Sequence, residues 1–237
     1  MRTLVVNADD FGRHEAINEG VAEAHERGIV TSASLMVRWP AAGGAAAYVR
    51  EHASLGAGLH VDLAQWSYVS GSWQLDYEIV PVDDGDAVRD ELARQLALFE
   101  ALVGHPPSHL DSHQHVHRTE PARSALQAAG RRLGVPVRHL TDGITYRGDF
   151  YGRSRTGDPL PEAITAGGLV AILERLPDGT SELACHPATE AGTDRAYSSE
   201  RVRELEALCD PQVAAALVAE RIRLRSFAAV DPAWAVR

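Results

Sequence analysis

Apolar residues recur along this chain in short β-branched runs that alternate with stretches of helical spacing. Leu4-Val5-Val6 predicts a buried strand and leads directly into the polar, turn-like Asn7-Ala8-Asp9-Asp10-Phe11-Gly12, so two acids stand at a strand's C-terminal end. From His14 to Arg27, Ile17, Val21 and Ala24 keep helical spacing, and Gly28 falls just past the helix end. Ile29 to Val37 predicts a second strand, Ala41 to Glu51 a helix, and the glycine-rich Leu55 to Val61 a third strand that carries His60 near its end. Periodicity disappears between Asp62 and Asp86, where Trp66, Tyr68, Trp73 and Tyr77 are interspersed with Gly, Ser and Asp, and a long loop is expected.

Ala87 to Val103 restores a helical face through Leu92, Leu96, Phe99 and Val103. After Pro106-Pro107 comes a short strand ending near Asp111, inside Ser108-His109-Leu110-Asp111-Ser112-His113-Gln114-His115-Val116-His117. Pro121 suits a first helical position, Gly134 closes that helix, and Val135 to Leu140 reads as the next strand. Thr141 to Leu160 reads as a second aromatic-containing loop and Pro161 to Leu176 as a helix. Glu182 to Cys185 is a strand delivering His186-Pro187. Val202, Leu205 and Leu208 mark a helix, Asp210-Pro211 opens another, and Leu224 to Val230 is the last strand.

Seven strands alternating with helices over residues 1–237 fit a single parallel (β/α) barrel of the TIM type, closed or slightly incomplete, better than an open doubly wound sheet. The open sheet stays an alternative, although no G-x-G-x-x-G favours a dinucleotide fold. Position strengthens the barrel reading: Asp9, Asp10, His60, His113 and His186 all fall where a predicted strand ends, the face on which barrel enzymes keep their chemistry.

Composition narrows the function. Net charge is −10 and no basic cluster exists, which argues against a nucleic-acid partner. All 23 basic residues are arginine, so Schiff-base lysines, the P-loop lysine and the kinase lysine are excluded. With only Cys185 and Cys209, neither a disulfide framework nor a thiolate zinc site is available. No apolar run approaches the roughly 18 residues of a membrane helix, and the N-terminal run is too short for a signal peptide. A cytoplasmic enzyme without membrane contact is expected; a homodimer is left open.

A carboxylate with two imidazoles is a common ligand set for a divalent cation that keeps positions free for water and substrate, and Asp10, His60 and His113 supply it. Such a cation lowers the pKa of bound water and polarises a carbonyl, with Asp9 as the adjacent candidate base. Extended neighbours point to opposite sides, so a turn after the strand is required to bring Asp9 and Asp10 into one pocket. Breaking an amide also needs a proton for the leaving amine, and His186, on the stiff Cys185-His186-Pro187 segment, is the candidate acid, approaching from the side opposite the base.

Asn7-Ala8-Asp9-Asp10-Phe11-Gly12, Gly58-Leu59-His60, His109 to His117 and Cys185-His186-Pro187, taken in this order, resemble the YdjC-like carbohydrate deacetylases, a family that includes the chitooligosaccharide deacetylases. Ile29-Val30-Thr31-Ser32, Val137-Arg138 and Phe150-Tyr151-Gly152 extend the likeness over most of the chain. The resemblance implies a distorted β/α barrel that removes N-acetyl groups from amino sugars with one divalent metal, usually magnesium; the donor set also suits zinc. It implies Asp10, His60 and His113 as ligands, Asp9 as base and His186 as the C-H-P histidine. The sequence departs from the family pattern at Gln114 and at Val61-Asp62-Leu63.

Asp111, His115 and His117 share the alternation of His113 and are candidates for supporting a ligand or contacting substrate. Arg138 is a candidate for positioning Asp9 or binding a carboxylate, against a plain surface ion pair. His14, His25, His52, His105, His109 and His139 belong to no constellation and read as structural. Trp66, Trp73, Tyr146, Phe150 and Tyr151 form a candidate stacking surface for sugar rings. The main reading is a metal-dependent N-deacetylase whose partner is a small N-acetylated sugar. A phosphoesterase or cyclic amidohydrolase, or a silent sugar-binding protein, are the alternatives.

Overall fold

The computed structural model describes residues 1–193 and 197–230. In chain order its elements are β1 (Arg2–Phe11), α1 (Glu15–Glu26), β2 (Ser32–Leu35), α2 (Ala42–Glu51), β3 (Gly56–Val61), β4 (Ala64–Val69), β5 (Ser72–Glu78), α3 (Gly85–Val103), β6 (Leu110–Ser112) and α4 (Ala122–Leu133). There follow β7 (Ile144–Arg147), α5 (Ala166–Glu174), β8 (Gly179–Cys185), α6 (Ser199–Leu208), α7 (Pro211–Ala219) and β9 (Ile222–Leu224). Short 3₁₀ turns cover His113–Arg118, Pro161–Ile164 and Phe227–Ala229.

Seven strands form one sheet in the order β6-β3-β2-β1-β8-β7, with β9 also against β1, and every pairing is parallel. The sheet curls into a half-barrel with helices around it, in line with the incomplete parallel barrel read from the pattern. The β9 register covers Arg2–Leu4 and the β2 register begins at Asn7, so the two share successive parts of β1.

The strands' helix-facing side is apolar: Leu4, Val6, Leu35, Leu59, Leu110 and Leu183 are fully buried and join the helices in one core. Along the other side runs a buried polar row. Asn7 donates to Ser34 Oγ at 2.8 Å, and Ser34 donates to Asp111 Oδ2 at 2.7 Å. Gly58 is required there, because a Cβ would stand 2.3 Å from His109 Cε1. His109 stacks on Phe227 with ring centroids 4.1 Å apart, which plugs the end where the strands begin.

Four expectations change. Asp62 to Asp86 is not a loop: β4 and β5 make an antiparallel hairpin joined by Ser70 and Gly71, both at positive φ (52° and 86°), as a two-residue hairpin turn of this hand requires. The strands do carry a period of two, Ala64, Trp66 and Tyr68 on β4 and Trp73, Leu75 and Tyr77 on β5, but those positions are mostly exposed or half-buried aromatics set among Ser, Gly and Asp, which is also the composition of a loop. Val135 to Leu140 is not a strand but a single parallel bridge, Leu110 to Val137, since Pro136 has no N–H to give and His139 turns left-handed at φ 63°. The seventh strand comes instead from β7, inside the stretch expected as loop. The predicted last strand is shorter and earlier, and Phe227–Ala229 forms a 3₁₀ turn. No helix among the described residues is long and apolar enough to cross a membrane.

Candidate active site

Asp9 and Asp10 lie within β1, not in a turn after it. Ala8 pairs with Ala33 and Phe11 with Leu35, so three steps on β1 face two on β2, and the extra residue makes a bulge in which Asp10 takes φ 64°. A bulge re-aims side chains that strict alternation would send to opposite faces. Both carboxylates are thereby buried, at 3 % and 2 % exposure, in one pocket at the strand ends.

Asp10 Oδ1 lies 3.0 Å from His113 Nδ1 and 3.5 Å from His60 Nε2. These three ligand atoms converge within 4.8 Å, yet Asp10 Oδ1 is buried without a hydrogen-bond partner. A buried, unsatisfied carboxylate oxygen facing two imidazoles fits a divalent cation, since leaving it bare costs about 1–3 kcal/mol or more. The other oxygen, Oδ2, accepts from Arg201 of α6. Burial alone would raise the Asp10 pKa, but Arg201 and the two histidines hold it well below the usual carboxylate range.

Each imidazole is held through its other nitrogen. His60 Nδ1 faces Asp111 Oδ1 at 2.7 Å, and His113 Nε2 faces Gln65 Oε1 at 3.0 Å. These partners hold His60 Nδ1 and His113 Nε2 as donors, so that His60 Nε2 and His113 Nδ1 are the nitrogens left for a cation once it displaces a proton there, an arrangement common behind metal-ligating histidines. Gln65 comes from the hairpin, which is also clamped by Gln114: its Oε1 accepts from Trp66 N at 2.9 Å and its Nε2 donates to Trp66 O at 2.7 Å. Burial lowers the proton affinity of His60, but Asp111, Asp10 and Asp9 outweigh it and pull the pKa up to about 10.

Arg138 is no surface ion pair. Fully buried, it donates from Nη1 to Asp9 Oδ2 at 2.6 Å, from Nη2 to Asp9 Oδ1 at 2.7 Å and from Nε to Glu182 Oε1 at 2.6 Å, with Asp111 Oδ2 2.9 Å from Nη2. Burial pushes the Asp9 pKa up, but the Arg138 charge and hydrogen bonds prevail and hold it below the ordinary value. Glu182 is pushed up to about 7 by burial, which Arg138 only partly offsets, with Asp111 and Asp9 adding to the rise. Asp9 does not cap α1; His14 does, accepting from Ala16 N at 3.1 Å.

His186, at the end of β8 beside β1, has Nε2 3.9 Å from Asp9 Oδ2 and Nδ1 3.7 Å from Glu204 Oε1, and its side chain is 19 % exposed. The candidate acid and base are thus neighbours, not groups on opposite flanks, because adjacent parallel strands deliver them. Glu204 of α6, fully buried, also accepts from the His186 backbone N and from Tyr197 Oη. Burial lowers the His186 pKa, but Glu204 and Asp9 more than compensate and raise it above 6.5.

His115 and His117 do not reach the Asp10 pocket. The strand ends at Ser112, and Gln114 and His115 turn left-handed (φ 49° and 55°), which breaks the alternation shared with His113. They meet His139, whose reading as a purely structural residue is therefore revised. Arg201, Glu204, Gln65 and Glu182 carry no local motif; only their being polar residues inside apolar or helical stretches marked them. A concavity of about 640 Å³ lined by Val49, Leu55, Gly56, Val103 and Phe227 lies at the opposite mouth, where the strands begin, and no carboxylate–histidine group enters it.

The family model for YdjC-like proteins matches residues 3–219. The chain belongs to that family. It is 32 % identical to a carbohydrate deacetylase of Geobacillus stearothermophilus, covering 95 % of this chain and 97 % of that one. It is also 32 % identical to a chitooligosaccharide deacetylase of Serratia marcescens, over 95 % and 98 %. Among solved structures, a protein of Enterococcus faecalis described for cellobiose-phosphate cleavage superposes with a TM-score of 0.75 at 25 % identity, covering 95 % and 97 %. A family 4 carbohydrate esterase of Streptomyces lividans shares the fold at a TM-score of 0.56 and 12 % identity, over 95 % and 91 %. Membership thus covers every strand of the half-barrel except β9, together with all four site segments.

Proposed function

We propose that this YdjC-like protein is a divalent-metal-dependent hydrolase that removes the acetyl group from an N-acetylated amino sugar or short chitooligosaccharide in the cytoplasm. The observation that carries the reading is the unpartnered Asp10 Oδ1 between His60 and His113, next to a second buried carboxylate. The names of its relatives, carbohydrate and chitooligosaccharide deacetylase, support the substrate class.

A cation held by Asp10, His60 and His113 supplies Lewis-acid polarisation of the acetamide carbonyl and a more acidic water. The two imidazoles favour a borderline ion such as zinc over magnesium, the metal the resemblance implies. Asp9, kept ionised by Arg138, takes the proton of the attacking water. Arg138 fixes the carboxylate by a two-pronged fork that leaves it one orientation. His186, whose hold on its proton Glu204 strengthens, gives that proton to the departing amine nitrogen. Acetate and the free amino sugar are the products.

Acetate release from N-acetylated mono- and oligosaccharides, with and without chelator and after refilling with single metals, tests the reading. Metal-dependent release that His113→Ala abolishes is expected. Metal-independent release, or turnover only of a phosphorylated disaccharide included because of the Enterococcus relative's name, overturns it.

A further inference from the structure

We propose that His115, His117 and His139 form a second cation site, separate from the Asp10 pocket and suited to a borderline divalent ion such as zinc or cobalt(II). One ring nitrogen from each lies within 4.8 Å of the others. His115 Nδ1 and His139 Nε2 are buried with no hydrogen-bond partner, the same signature that marks Asp10 Oδ1. Two unsatisfied imidazole nitrogens on the residues of one small cluster are costly unless a further group satisfies them.

The rest of the cluster leaves these atoms available. His115 Nε2 is engaged by Tyr146 Oη at 3.2 Å, which frees its Nδ1, and the Tyr146 ring packs on His139 at 4.2 Å. His117 is the steadied member: Nδ1 meets Ser112 Oγ at 2.6 Å and Nε2 meets the Arg138 carbonyl at 3.0 Å. It joins the coordination by exchanging that carbonyl for the ion and turning its Ser112 bond round, Nδ1 becoming the donor. Three imidazoles with no carboxylate select against magnesium and calcium, which prefer oxygen. The Arg138 guanidinium nearby is paired with Asp9, Asp111 and Glu182, whose charges offset its repulsion of a cation.

The inference stands whether or not the protein deacetylates sugars, because its readout is stoichiometry. Cobalt(II) is titrated into metal-free protein, followed by visible absorption and equilibrium dialysis, for the wild type, His139→Ala, His115→Ala and His113→Ala. Two equivalents are expected for the wild type and one for each variant, with His139→Ala and His113→Ala keeping different absorption spectra. The equivalent retained at Asp10 reports that the His139 and His115 variants are folded. Wild-type cobalt(II) stoichiometry that His139→Ala and His115→Ala both retain in full overturns the site.

Discussion

Arg138 grips Asp9 by both carboxylate oxygens, at 2.6 and 2.7 Å, across 129 residues of sequence. The fork keeps Asp9 ionised and fixes its direction, so it both holds the charge of the base and constrains its aim. Asp9→Asn preserves the shape and one prong while removing the base. The proposed chemistry predicts a fall in kcat on the order of 10²–10⁴-fold with unchanged cobalt(II) stoichiometry. Arg138→Gln instead raises the Asp9 pKa, and the acid limb of a kcat/KM profile moves to higher pH.

Metal loading is expected to stabilise the fold, since it satisfies Asp10 Oδ1. A ligand at 100 times its Kd adds about 2.7 kcal/mol, or roughly 5–10 °C in Tm for a chain of this size. Calorimetry with and without chelator measures it. Binding tightens as pH rises, because the ion displaces the proton that Asp111, Asp10 and Asp9 draw onto His60.

Glu204→Gln removes the charge that, with Asp9, raises the His186 pKa against burial. The basic limb of kcat/KM is expected to move to lower pH. A raised folded pKa means that the stabilisation from protonated His186 is complete below about 6.5 and is lost as pH rises through the folded value. Denaturant titrations should show the wild type losing stability over that window and Glu204→Gln losing less.

Gln65→Leu leaves His113 Nε2 without its partner on the hairpin. Metal affinity is expected to fall about 10–100-fold, the usual effect of losing a group behind a ligand histidine. Equilibrium dialysis reads it directly, and Gln65→Glu, which keeps an acceptor, should recover most of the loss.

Gly58→Ala places a methyl 2.3 Å from His109 Cε1, in a stack closed below by Phe227. Overpacking of this kind costs about 1–3 kcal/mol. A Tm drop of several degrees is expected, and a wild-type Tm would remove the packing argument.

Leu4-Val5-Val6 was legible because a buried parallel strand writes itself as an apolar run, and Leu55 to Val61 and Glu182 to Cys185 because short, mostly apolar or small stretches lie between turn signals. α1 and α3 were legible by their helical faces and caps. The hairpin and β7 were not: the alternating Trp66, Tyr68, Trp73 and Tyr77 stand among Ser, Gly and Asp as they would in a loop, and β7 is four half-buried or exposed residues with no apolar run. The position of Asp10, His60 and His113 at strand ends was readable from local pattern alone.

By itself, then, the sequence determined the alternation of strands and helices, the absence of lysine chemistry, and a shortlist of acids and histidines at strand ends. It could also place the chain beside its family. The tertiary structure decided how those groups are used. Only a bulge in β1 turns Asp9 and Asp10 into one pocket, and only α6 brings Arg201 and Glu204 to Asp10 and His186. Only the left-handed turn after Ser112 separates His113 from His115 and His117. The reason is physical: local pattern records which face a residue is buried on, whereas charge pairing and ligand convergence depend on distances between segments that the chain brings together only when it folds.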